Sequence, residues 1–347
     1  MGTTIIRPFP RRTPGERWVP SPVIGARHDA ERSPFETRAD NATQPHNVTM
    51  PPTIDFDDIV HTVVRTPGVL HAAYLHPDGK LDMLRELIAT AGHLRRLLGP
   101  AHAIAMDLVA TSNAVRELSN LNSSAPKLWD QVREMNPPST SREHSKAIEP
   151  YLFKLKALSE SRFSRTLFLD CDVVVVEWNL VGSLLGGVLD VADVAMPLDP
   201  GRAAWLAEGG SHAPWVAPAV TPPMLCTAVM AYRQSAQVLT LFKGAMRRLL
   251  EGRHAHVRRG DQEMLWFEWT RGSGANLRVL SLPEEIYCPM ETRRSAAPAE
   301  GQRATWTTSW PRGKYPCRAI HSHRLAQALF ANPNAGPLAV LHNRSRE

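Results

Sequence analysis

Two carboxylates stand two residues apart between apolar runs in the segment Arg165-Thr-Leu-Phe-Leu-Asp170-Cys171-Asp172-Val-Val-Val-Val176. In an extended chain, side chains two apart project to the same side. A strand over 166–176 would therefore aim Asp170 and Asp172 together. The flanking apolar residues make unpaired carboxylates there costly to desolvate. Two such groups stay ionised together only when a cation or strong donors neutralise them. Oxygen ligands at this spacing suit Mg²⁺ or Mn²⁺, a cation that bridges a diphosphate. The triplet alone is weak: Asp55-Phe56-Asp57 is another, and an Asp pair that ends a strand also serves to cap a loop. Position between two apolar runs sets the first apart.

The elements that must position this pair are readable around it. Residues 68–75 form a short apolar run closed by Pro77-Asp78-Gly79, a buried strand and a turn. Leu81, Leu84, Leu87, Ile88, Ala91, Leu94, Leu97 and Leu98 recur at helical spacing until Gly99-Pro100 stops them. A strand over 102–109 follows. Strand, helix and strand at this spacing predict a parallel crossover. The polar, Pro-broken segment 120–150 reads as a loop, then a short helix over 151–160 and the strand 166–176. Further on, strands are expected over 191–196 and 224–232, and helices over 238–250 and 262–269. Residues 199–223 and 292–316 read as irregular, the first a long loop of the kind that usually either carries function or is disordered.

Composition sets the outer limits. The 347 residues carry a net charge of +6, 43% hydrophobic residues and a pI near 9.3. The excess charge favours an anionic partner. Its Lys and Arg residues are scattered without interleaved aromatics, which argues for a small anionic substrate and against nucleic acid. Cys171, Cys226, Cys288 and Cys317 show no C-x-x-C spacing, so neither zinc nor a disulfide framework is indicated. Asn-x-Ser/Thr triplets begin at Asn41, Asn47, Asn122 and Asn343 and matter only in a secreted context. No apolar run is long enough for a bilayer crossing, and Met1 to Pro20 hold no continuous apolar stretch to serve as a signal. The expected organisation is a Pro/Arg-rich tail over 1–52, one α/β domain over 53–330 and a short tail over 331–347.

The block Tyr151-Leu-Phe-Lys-Leu-Lys-Ala-Leu-Ser-Glu-Ser-Arg-Phe-Ser-Arg-Thr-Leu-Phe-Leu-Asp-Cys-Asp172 resembles that of nucleotide-diphospho-sugar transferases with the GT-A fold, the glycogenin-like glycosyltransferases and their plant and algal relatives. Later pieces fall in the family's order. Val188 to Pro197 resembles the next strand, and Leu225-Cys-Thr-Ala-Val-Met-Ala-Tyr-Arg233 a segment that usually reads Asn-Thr-Gly-Val. Gly260-Asp261-Gln262-Glu263 matches the Asp-Gln pair at a helix start. Ile320-His321-Ser322-His323 resembles the strand that supplies a histidine ligand.

This resemblance implies a GT-A-like three-layer α/β/α sandwich with a mostly parallel sheet. It implies a metal-dependent glycosyltransferase, with Mn²⁺ or Mg²⁺ held by Asp170, Asp172 and His321. The donor would be a nucleotide-diphosphate sugar, a UDP-sugar transferred with retention, and the acceptor an unidentified glycan, protein or small molecule. Lys154 and Lys156 join Asp170 and Asp172 as donor-binding candidates, and Asp261 and Gln262 are the catalytic candidates. His323, Asp199 and Arg202 are additional candidates, and Trp205, Trp215, Trp306 and Trp310 are placed to stack on sugars or to anchor loose segments. Departures are Cys226 and Ala228, where the family usually has Asn and Gly. By the same resemblance the compartment is the Golgi or another secretory lumen if an anchor is missing, and the cytoplasm otherwise.

A haloacid-dehalogenase-like phosphatase also writes hydrophobic-Asp-x-Asp-x-Val, with the first Asp as nucleophile and Mg²⁺ beside it. Such enzymes normally open their domain on that strand, whereas here a strand, a helix and a strand precede it. A third alternative is an inert protein that binds a sugar nucleotide without turnover.

Overall fold

In the computed structural model the described residues are 64–76, 79, 81–99, 104–137, 145–197, 225–251, 260–282, 287–289, 293–294, 306–307 and 318–334. The N-terminal half lays down β1 (Val64–Ala73), α1 (Asp82–Leu98), β2 (Ala105–Ala110), α2 (Ser112–Leu121), β3 (Gln131–Glu134), α3 (Ser145–Ser159), β4 (Phe163–Leu169) and β5 (Val173–Val175). Helical turns follow, α4 (Asn179–Ser183) and α5 (Leu189–Val191), with a π turn over Leu184–Val188 between them. Then come β6 (Val194–Pro197), β7 (Val229–Arg233), α6 (Ala236–Leu250), α7 (Gly260–Arg271), β8 (Val279–Leu282) and β9 (Tyr287–Pro289). The short β10 (Arg293–Arg294) and β11 (Trp306–Thr307) precede β12 (Ala319–His321) and α8 (His323–Ala331).

Seven strands make the central sheet in the order β3-β2-β1-β4-β7-β6-β8. β1 runs parallel to β2 and β4, β2 to β3, and β6 to β8, while β7 is antiparallel to both its neighbours. Period-two alternation splits the core across the sheet. Val69, Leu167, Leu169, Val229 and Ala231 pack with Leu84, Leu87, Leu94 of α1 and Leu118 of α2. Leu70, Phe168, Met230 and Tyr232 face the other way, against Leu152, Leu158, Phe242, Met246 and Leu265 from α3, α6 and α7. This is the expected three-layer α/β/α sandwich with a mostly parallel sheet. The α1 crossover joins two parallel strands as the spacing implies.

Three expectations change. Segment 120–150 is not all loop: β3 extends the sheet, and α3 begins at Ser145, ahead of the internal Pro150. The strand expected over 166–176 is two strands. β4 ends at Leu169, Asp170 to Asp172 turn, and β5 leaves for a second sheet of order β5-β12-β9. The valine run of β5 is bound antiparallel to β12, with His321 opposite Val173. Finally, α8 lies where no helix was expected, capped by the Ser322 hydroxyl, which accepts from Leu325 N–H. Residues 1–52 lie outside the described residues. No described helix is long and apolar enough to cross a membrane.

One buried polar pair marks the core. Burial, helped by the charge of Arg95, lowers His71 to about 3 and keeps its ring neutral, so that Nδ1 accepts from Trp129 Nε1–H at 3.2 Å.

Candidate functional site

The turn between β4 and β5 sits at the C-terminal end of β4, near the middle of the parallel strands, where ligands of open α/β sheets bind. Asp170 N–H donates to the Ala228 carbonyl at 2.9 Å, and Val173 N–H to the Asp170 carbonyl at 3.2 Å. The turn separates what a strand would have aligned. Asp170 and Asp172 point to different partners.

Asp170 meets Lys154. From the second half of α3, Lys154 Nζ reaches Asp170 Oδ1 at 2.9 Å, Asp261 Oδ2 at 3.1 Å and Thr227 Oγ1 at 3.2 Å. The Thr227 hydroxyl donates onward to Asp261 Oδ2 at 2.8 Å. An ammonium has three N–H donors, and these three groups occupy them all. Burial works against the Lys154 charge, but Asp170 and Asp261 outweigh it and raise the group above its ordinary value. Burial also raises the Asp170 carboxyl, with Asp172 and Asp261 adding to the rise and Lys154 opposing it. Gly260 makes the approach of Asp261 possible. Its φ is +32°, and a Cβ there would lie 2.2 Å from the ring of Tyr151, one turn before Lys154 on α3.

Asp172 meets histidines. Its Oδ2 lies 2.8 Å from His321 Nε2 and 3.3 Å from His323 Nε2. The carboxylate is 4% exposed, His321 31% and His323 70%. β12 delivers His321 through its pairing with β5, and Ser322 N–H donates to the Asp172 carbonyl at 3.0 Å. Burial disfavours the His321 imidazolium, yet bonds to Asp172 and Cys226 raise it to about 10. Burial likewise disfavours the Asp172 anion, but the bond from His321 and the charge of both imidazoles bring it below its ordinary value. The bond to Glu86 raises His323, against burial and with help from Asp172.

Among the described residues, no three His, Cys, Asp or Glu side chains already surround one point as a finished metal centre. The donor set nonetheless fits a hard or borderline cation: carboxylate oxygens and imidazole nitrogens, with no thiolate required. Neighbouring ligands around a cation at ~2.1 Å stand about 3 Å apart. The 2.8 Å between Asp172 Oδ2 and His321 Nε2 is of that size.

Other sequence-derived candidates fall elsewhere. Lys156 lies off the cluster, with Nζ donating to the Asn136 carbonyl at 3.2 Å and 4.0 Å from Glu160. Gln262 is buried in the first turn of α7 beside Asp261. Asp199, Arg202, Trp205, Trp215 and Trp310 lie outside the described residues, and Trp306 is described only as backbone in β11. Cys226 is buried next to His321, and the Ala228 carbonyl holds the Asp170 amide. Thr227 and Glu86 were not among the candidates. The signal for Thr227 was its place between the two departures from the family pattern. The signal for Glu86 was an acid on the apolar face of α1, where it is 3% exposed.

No family model matches the chain, and no curated protein matches it. Among solved structures it is similar to the galactosyltransferase LgtC in complex with donor and acceptor sugar analogues. That likeness has 16% identity and a TM-score of 0.47, over 73% of this chain and 86% of that one. It is similar also to mouse xyloside xylosyltransferase 1 in its apo form, at 12% identity and TM-score 0.47, covering 74% and 98%. A third is the WbbM bifunctional glycosyltransferase, at 14% and 0.40, covering 78% and 46%. At such identities the chemistry has to be read from the site.

Proposed function

We propose that this chain is a metal-dependent glycosyltransferase that moves a sugar, with retention, from a nucleotide-diphosphate donor such as a UDP-sugar. One observation carries the reading. At the end of β4, five segments bring together two carboxylates, a third acid, a buried ammonium and two imidazoles. Asp170, Asp172 and His321 would hold Mn²⁺ or Mg²⁺, which when bound offsets the charge of the leaving diphosphate.

The chain's own residues prepare that place. Lys154 has no N–H left for a phosphate, so its part is to hold Asp170 and Asp261 at fixed positions. Charge arranged before reaction needs no reorganisation during it. Thr227 orients Asp261 through its hydroxyl. Asp261 and the neighbouring Gln262, at the start of α7, are assigned to the sugar side of the site. Gln262→Ala should then lower turnover more than it weakens UDP binding, the pattern of an interaction made mainly in the transition state.

The phosphatase reading finds less support. β4 is preceded by three strands of its own sheet and flanked by an antiparallel strand. Asp172, the acid of that reading, is tied to two imidazoles. Thermal unfolding against a panel of nucleotide sugars tests the proposal, since a ligand that binds only the folded state raises its stability. Mn²⁺-dependent stabilisation by a sugar nucleotide is expected. Its absence throughout the panel, or a beryllofluoride adduct trapped on Asp170, overturns it.

A further inference from the structure

The inner face of α1 is interrupted by three polar residues at positions i, i+4 and i+7, Glu86, Thr90 and His93, and each grips the site segment or its neighbours. Thr90 Oγ1 lies 3.0 Å from the Cys171 carbonyl and His93 Nε2 2.9 Å from the Val175 carbonyl. Glu86 accepts from His323 Nδ1–H at 2.9 Å through Oε2, and from Gln327 Nε2–H at 2.9 Å through Oε1. Gln327 lies one turn beyond His323 on α8, so both carboxylate oxygens are fixed and the group cannot turn.

The burial is lopsided. The Glu86 side chain is 4% exposed, whereas the histidine it holds is 70% exposed. Burying a carboxylate is costly unless its partners compensate, and a mostly solvated imidazole returns little in stability. What the bond does fix is the ring. With Nδ1–H committed to Glu86, the nitrogen facing Asp172 is Nε2, at 3.3 Å. A carboxylate on the far nitrogen is how proteins orient histidines that bind metals.

We propose that Glu86 is a positioning residue that holds His323 as a second imidazole ligand beside His321 at the Asp172 carboxylate. The assignment rests on the metal-dependent reading given above. It is distinct from a structural tie between α1 and α8, which Gln327 alone would supply.

The test is Mn²⁺ titration by calorimetry on the full chain, with thermal unfolding in chelator as the measure of folding. Glu86→Ala and His323→Ala should each weaken Mn²⁺ binding by about tenfold or more. The double variant should bind no more weakly than His323→Ala, because Glu86 acts only through that ring. Glu86→Gln, which retains an acceptor for Nδ1–H, should recover part of the loss, and it stands in if the alanine variant does not fold. Mn²⁺ binding that Asp172→Asn abolishes but His323→Ala leaves unchanged overturns this assignment alone. Additive losses in the double variant overturn it too. Absence of Mn²⁺ binding in the unaltered protein overturns the metal site and this assignment with it.

Discussion

Asp170 and Asp172 are two residues apart and live in different company. Asp170 shares Lys154 with Asp261 in a closed arrangement whose donors are all committed. Asp172 shares two histidines, one of them mostly in solvent. Lysine keeps its charge in the first half across the physiological range, because Asp170 and Asp261 outweigh the burial that opposes it. In the second half the positive charge sits on imidazoles, which can give up a proton and offer a lone pair instead. The difference separates a fixed scaffold from a place where one cation can replace another.

The largest effect should come from breaking the fixed half. Lys154→Met leaves the buried Asp261 and the partly buried Asp170 without their cation, and removing one partner of a buried pair costs about 3–5 kcal/mol. Chemical denaturation should show that loss with or without metal. A loss below about 1 kcal/mol would place Lys154 among solvated charges.

Gly260→Ala attacks the same half through the backbone. A Cβ at φ +32° against the Tyr151 ring displaces α7 or α3, and strain of this kind costs about 1–3 kcal/mol. Reduced stability should come with weakened donor binding, since Asp261 moves. Unaltered binding would detach Asp261 from the site.

Asp172→Asn tests the exchangeable half and should cost less, about 1.5 kcal/mol in chelator at neutral pH, the size of a charged hydrogen bond. Its pH dependence is the sharper sign. Asp172 and Cys226 raise His321 from 6.5 to about 10. In chelator its stabilising contribution is therefore fully present below about 6.5 and is lost as pH rises toward about 10. Asp172→Asn should flatten that alkaline decline while leaving Lys154 in place. An unchanged decline would mean that other groups set it.

The smallest effect belongs to Lys156→Gln. Its side chain lies off the cluster, so stability should change by less than about 0.5 kcal/mol and donor affinity should not change. A clear loss of donor affinity would return Lys156 to the site.

Local pattern made much of this legible. An apolar run located β4 and helical spacing located α1, while the family resemblance marked β12. The separation of the two carboxylates was not legible. Val173 to Val176 look like a continuation of β4 because nothing local says that their partner is β12, far downstream. Glu86 was hidden for a related reason. An acid within an apolar helical face reads as a solvated exception until His323 and Gln327 are seen beside it. Lys154 was found from the resemblance, but its contacts with Asp170, Asp261 and Thr227 were not legible there. Only the distances to three oxygens show them.

The most direct measurement is a calorimetric titration of UDP into the protein with Mn²⁺ and again with chelator, repeated for Asp172→Asn. Binding at least about tenfold tighter with Mn²⁺ is expected, with loss of that difference in the variant. Equal UDP affinity with and without the metal in the unaltered protein would contradict it.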